Sequence, residues 1–348
     1  MLPKLLWPVV GGVTVLLIAW DVILTLLHPT ARGPVSYISN RATWDGARAL
    51  ARRFFKGRGL SYAGPLAVAG NVLAWVLGLW IGFALAYLPF IGTFSFDPAT
   101  PFAGKGLLEA LYFSGTVLTT AGFGDVVPTG SVLRVIAVVE AASGFGALSA
   151  AIAYVLSLYP LTTELRSTAL QLADHGVLEF SGAVRVVRDS GTSVLPAVFR
   201  EMTEAHEHLR RFPVLYYFES GDEEEPLRSL VRGGALLLVA LRCAHPEVNP
   251  HAPLYADVME AIVDRLLGDL ERDFVGGRRS ARGPHKEDDD NQYDISKLCA
   301  SVDPQFAAPE HVEHTEELAS LLARTEAVLA AIAEEHSHRA DPLFPTEP

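Results

Sequence analysis

The chain has 348 residues, room for two or three domains, and half of them are hydrophobic although a fifth are charged. Charge is divided along it: up to Leu158 there are ten Lys/Arg against six Asp/Glu, and from Tyr159 on eighteen against thirty-four, leaving −12 overall. The acidic second part argues against a nucleic-acid partner, and two scattered cysteines, Cys243 and Cys299, make no disulfide framework and suit a reducing compartment.

Three stretches reach the roughly 20 apolar residues that cross a bilayer. The first, Leu5 to Leu27, falls in an N-terminal segment 1–30. It is too long for the apolar core of a signal peptide, and no small-residue cleavage site follows Leu27. Asp21, Thr25 and His28 share one face of it, being four and seven residues apart. Two readings fit that face: a proton or gating sensor, or hydrogen bonds that dock the helix on its neighbours.

Segment 31–65 carries Arg32, Arg41, Arg48, Arg52, Arg53, Lys56 and Arg58 against one acid, Asp45. Such an excess stays on the cytoplasmic side, which predicts the N-terminus outside and the C-terminal part cytoplasmic, in a multi-pass protein of the cell membrane. Tyr37, Ile38, Trp44, Ala47, Ala51 and Phe54 recur at helical spacing among the arginines. They predict an amphipathic helix on the inner leaflet, with a solvated linker as the alternative.

Segment 66–159 holds the second span, Leu66 to Leu88, and the third, Ser131 to Leu158. Between them Gly106 to Leu118 is apolar but too short to cross, so it reads as a re-entrant helix. Thr119-Thr120-Ala121-Gly122-Phe123-Gly124-Asp125 follows it.

The remainder reads as helix, and the whole fold as all-α. In segment 160–275, Pro160 is expected to break the third helix, with Thr162 and Thr163 capping the next. Apolar residues three and four apart then mark helices after Thr192-Ser193, Pro226 and Pro253. Segment 276–308 reads as a flexible linker and 309–348 as a C-terminal helix. The pairs His206/His208, His311/His314 and His336/His338 have too few ligands for a metal site and read as surface. The runs Asp222 to Glu225 and Glu287 to Asp290 read as solvated loops, with weak calcium or magnesium binding as the alternative.

The short segment after the re-entrant helix carries the chemistry. A dehydrated cation needs oxygens in place of water, and backbone carbonyls supply them if successive ones face a common axis. That arrangement demands backbone angles that glycine tolerates. Gly122 and Gly124 alternate with Ala121 and Phe123, Thr120 adds a hydroxyl at the inner end, and Asp125 places a carboxylate at the outer mouth. A nucleotide loop is excluded, since no third glycine follows and no strand precedes.

Leu111-Tyr112-Phe113-Ser114 through Thr119-Thr120-Ala121-Gly122-Phe123-Gly124-Asp125-Val126-Val127-Pro128 resembles the pore of the prokaryotic two-transmembrane, one-pore potassium channels. The likeness covers about Leu66 to Leu158. It implies a homotetramer in a lipid bilayer, with K+ bound at the carbonyls of Thr120 to Gly124 as permeant ion and no cofactor. It also implies filter support from Thr116, Thr119 and Glu140, the latter facing Ser114 behind the filter, and an inner-helix hinge at Gly144 and Gly146. Close helix packing is the other reading of those glycines, and a pore-facing position the other reading of Glu140. The family motif is Thr-Val-Gly-Tyr-Gly-Asp, and this chain departs from it twice. Phe123 leaves the carbonyl unchanged, whereas Ala121 removes packing volume behind the filter. The C-terminal part lacks the glycine-rich nucleotide fold of many relatives, so its ligand is not specified. A poorly selective cation channel, or a membrane-anchored sensor with a vestigial pore, are the alternatives. An enzyme is disfavoured by the lack of a nucleophile–base set, nucleotide loop or metal cluster in the sequence.

Overall fold

The computed structural model describes residues 2–28, 33–54, 62–97, 106–189, 194–218, 225–275, 306, 315–335 and 343. Among them the fold is all-α, with one pair of two-residue strands. The chain divides into two compact units, one of residues 1–47 and 65–159, the other of 48–64 and 160–348.

The first unit holds three helices long and apolar enough to cross a membrane. Helix α1 is Leu2–Leu27, α2 is Pro34–Phe54, α3 is Ala63–Tyr87, α4 is Leu107–Leu118 and α5 is Ser131–Asp174. Glycines bring α1 against α3: a Cβ on Gly11 would lie 2.3 Å from the Gly82 carbonyl oxygen. Small residues allow such approach where lipid removes the hydrophobic drive between helices. Strands β1 (Ser95–Phe96) and β2 (Val126–Val127) pair antiparallel, Ser95 opposite Val127 and Phe96 opposite Val126. They tie the chain after α3 to the chain leaving residues 119–125.

The division falls within α2, near the start of α3 and within α5, and α5 corrects one expectation. It runs unbroken from Ser131 to Asp174 with Pro160 inside, so Thr162 and Thr163 lie within the helix and do not cap a new one. A helix-interior proline forfeits one backbone hydrogen bond and costs about 3 kcal/mol. Leu158 before it and Leu165, Ala169 and Leu172 after it are all buried, and that burial outweighs the lost bond.

Helix α2 also departs from the expected pattern. Trp44 is buried, together with Ser36 and Asn40, while Tyr37 and Ile38 stay exposed. Its protein-facing stripe is therefore largely polar, and Thr43 sits against Gly70 of α3. The side chains of Ala51 and Phe54 lie outside the described residues.

The second unit contains α6 (Phe180–Asp189), α7 (Val194–Arg211), α8 (Pro226–Cys243), α9 (Ala252–Leu270) and α10 (Thr315–Glu335). Helix α8 is its centre. Leu230, Val231, Leu236, Leu237, Leu238 and Leu241 are buried on every side, wrapped by α6, α9 and α10. Proline at the first turn suits α8 and α9, because its missing N–H would be unpaired there anyway. His206 on α7 is buried against Asp269 on α9, Nε2 to Oδ2 2.9 Å, so the surface reading does not hold for that histidine. The His311/His314 and His336/His338 pairs, the loop residues 222–224 and 287–290, and nearly all of the 276–308 segment lie outside the described residues. Phe306 is buried, and its carbonyl accepts the His245 N–H at 2.8 Å. Cys243 is buried and disulfide-bonded, where the sequence suggested a reduced thiol.

Candidate functional site

Helix α4 is preceded by its N-cap Gly106, whose N–H donates to Glu109 Oε2 at 2.9 Å. It ends where Thr119 N–H and Thr119 Oγ1 both donate to the Gly115 carbonyl, at 3.1 and 2.6 Å. The Thr120 N–H donates to Val117 O at 2.9 Å, and the Gly122 N–H reaches back to Thr116 O at 3.1 Å. Thr116 spends its hydroxyl on its own helix, donating to Phe113 O at 2.8 Å, so it meets the filter segment through its carbonyl.

Three residues of the segment after α4 are left-handed: Thr120 (φ 58°), Gly122 (φ 52°) and Gly124 (φ 79°). Ala121 and Phe123, between them, are not. This alternation is the backbone pattern that turns successive carbonyls toward one side. Glycine adopts it freely, but Thr120, which the sequence marked only for its hydroxyl and carbonyl, is strained there. A Cβ at Gly122 or Gly124 would meet no atom within 4 Å, and the segment from Thr119 to Gly124 is exposed.

The outer end is framed by Phe123 and Asp125 together with Tyr112, to which the sequence motif gave no role. The Phe123 ring stacks on Tyr112 with centroids 6.5 Å apart and planes 13° from parallel. The Tyr112 hydroxyl donates to Asp125 Oδ2 at 2.8 Å. Asp125 O accepts the Asp97 N–H at 2.8 Å, beside the β1–β2 pair. Tyr112 lies one turn before Thr116 on α4, and only that helical offset in the sequence hinted at its place.

Behind the segment, Glu140 of α5 is fully buried, with Oε1 2.5 Å from Ser114 Oγ of α4. Ser114 Oγ is also 3.0 Å from Trp80 O of α3, and Trp80 Nε1 donates to Leu111 O at 2.8 Å. Tyr87, Phe94 and Phe113 form an edge-to-face cluster in the same unit. The pore-facing reading of Glu140 does not fit these contacts. Gly144 packs directly on the end of α4: a Cβ there would lie 2.0 Å from Leu118 O. Gly146 faces open space. Both lie in the unbroken α5, and the geometry at Gly144 is that of close packing.

Asp21 and Thr25 of α1 are brought to the start of α2. Thr25 Oγ1 donates to Ser36 Oγ at 3.1 Å, and Asp21 accepts from Val35, Ser36 and Trp75. The interhelical docking reading describes both residues. His28 ends α1, its N–H donating to Leu24 O at 3.3 Å.

Residues 72–159, which hold α4, the alternating segment and most of α3 and α5, match the sequence family described as ion channel. This stretch is similar to the ion channel family. The matched stretch is a quarter of the chain and lies in a unit with three helices long and apolar enough to cross a membrane. The chain is also similar to the uncharacterized membrane protein YdjJ of Bacillus subtilis (strain 168), 24% identical over 213 residues. That alignment covers 58% of this chain and 59% of the relative, so the chain spans less than two thirds of its relative's length. No solved structure matches.

Proposed function

We propose that the protein is a potassium-selective channel in which four copies surround one axis. The observation that carries this reading is the alternation of left-handed Thr120, Gly122 and Gly124 with Ala121 and Phe123 in a Thr-x-Gly-Phe-Gly-Asp segment. One chain supplies one strand of carbonyls, and a cation cage needs several. The exposed filter segment and the exposed apolar face of α5, with Val132, Val138, Phe145 and Ile152, support that assembly. K+ would bind at the carbonyls of Thr120 to Gly124, with Asp125 concentrating cations at the outer mouth. The basic segment 31–65 supports an N-terminus outside and the acidic C-terminal unit in the cytoplasm.

Reversal potentials of purified protein in planar bilayers, with potassium on one side and sodium on the other, test selectivity. A strong preference for potassium is expected. Equal permeability would leave a poorly selective cation channel, and Ala121→Val would then report whether packing behind the filter is the cause. No current from assembled protein would leave a sensor with a vestigial pore. Native mass measurement in mild detergent is expected to give a tetramer.

A further inference from the structure

Asp21 sits in α1, a helix outside the matched channel domain, yet it is the meeting point of three helices. Its carboxylate is fully buried and accepts from the Val35 N–H at 2.6 Å, the Ser36 N–H at 3.2 Å, Ser36 Oγ at 2.5 Å and Trp75 Nε1 at 2.8 Å. Val35 and Ser36 open α2, where N–H groups have no acceptor within their own helix. Asp21 therefore caps α2 from another helix, and its negative charge faces the positive end of the α2 dipole. Gly33 leaves it room: a Cβ there would lie 2.3 Å from Asp21 Oδ1.

The contact continues to α5. Trp75, on α3, packs its ring against Tyr154 with centroids 5.7 Å apart. Tyr154 is buried, and Asn71 Nδ2 lies 3.4 Å from its hydroxyl. Tyr154 belongs to the buried face of α5 with Ala147, Ala151 and Leu158, while Leu148, Ile152, Val155 and Tyr159 are exposed. Each link is polar or aromatic and closely fitted, so a shift of α2 cannot be absorbed by loose apolar packing.

We propose that Asp21 is a positioning residue for conduction, fastening α2 to Trp75 and thereby setting the stance of Tyr154, so that the balance of open and closed states depends on the Asp21–Trp75–Tyr154 chain. This rests on the reading of α5 as the pore-lining helix. Asp21 touches no permeant ion and acts through α3. A two-state equilibrium moves only if the linked groups interact unequally with its two states, so the proposal requires the Asp21–Trp75–Tyr154 contacts to be fitted to one of them.

Single-channel recording of the full chain in planar bilayers tests it, with Asp21→Asn, Trp75→Phe and Tyr154→Phe, and the Asp21→Asn/Trp75→Phe pair. Each single variant is expected to move open probability in the same direction, by roughly tenfold as for coupled buried neighbours. The double variant should go no further than the larger single one. Unitary conductance and the potassium-to-sodium ratio should stay unchanged, which a general loss of packing would not spare. Trp75→Phe leaves the Asp21 bonds to α2 in place, so it decides the matter if Asp21→Asn does not assemble. Additive effects, or unchanged open probability in assembled channels that conduct, would overturn the role of Asp21 alone. Absence of current from the unaltered protein would overturn both this inference and the channel reading beneath it.

Discussion

Ser114 Oγ lies 2.5 Å from Glu140 Oε1, joining α4 to α5 behind the filter segment. The same hydroxyl is 3.0 Å from the Trp80 carbonyl oxygen. Its single proton is shared between these two acceptors, so a side chain at position 140 that can itself donate lets Ser114 complete both contacts. Glutamine can donate in the same way and leucine cannot. Glu140→Gln is therefore expected to retain most of the potassium flux in liposomes, and Glu140→Leu to lose it by leaving Ser114 half-satisfied. Equal loss in the two variants would remove the bracing role.

The two candidate hinge glycines predict opposite outcomes. Gly144→Ala would drive a Cβ to 2.0 Å from Leu118 O, in a place where backbone must give way. Overpacking of this kind costs about 1–3 kcal/mol, and reduced assembly and flux are expected. Gly146→Ala meets open space and improves helix propensity by about 1 kcal/mol. Flux and open probability comparable to the parent are expected. A large change in open probability for Gly146→Ala would mean that bending at that position is used.

Because α5 passes through Pro160 without a break, the natural place to cut is after Asp174, where the helix ends. A chain truncated there keeps the whole of α5 and loses α6 to α10. The expectation is a changed open probability with the potassium-to-sodium ratio intact, read by single-channel recording against the full chain. Unchanged open probability in assembled channels would leave the second unit a role in assembly or stability alone.

Glu326, on α10, should make the second unit pH-dependent. Burial raises its carboxyl above the ordinary value, and a backbone hydrogen bond at Leu343 offsets part of that. The folded chain thus holds this proton more tightly than the unfolded one. Its contribution to stability is present below the ordinary glutamate value, near pH 4.3, and is lost as pH rises through the raised value. Thermal unfolding of the full chain in detergent should show Glu326→Gln losing less stability than the parent on going from about pH 4 to about pH 7. Parallel curves for the two would contradict the assignment.

Sequence alone determined the parts of this protein that depend on local composition. Three apolar stretches of spanning length, the shorter α4 and the Thr-x-Gly-Phe-Gly-Asp segment were legible because span length and glycine conformation are set by neighbours in the chain. Asp21, Thr25 and His28 were visible as one face, but not their partners, since Ser36 and Trp75 lie 15 and 54 residues further along. The same holds for Glu140, whose resemblance-based place behind the filter needed Ser114 and Trp80 to give it a defined contact. Trp44 of α2 looked like a membrane-facing residue until packing turned it inward. Pro160 looked like a helix end because proline is a local breaker. Only the tertiary structure decided that burial of Leu158, Leu165 and Leu172 carries α5 past it, because packing energy is summed over residues that propensity treats one at a time.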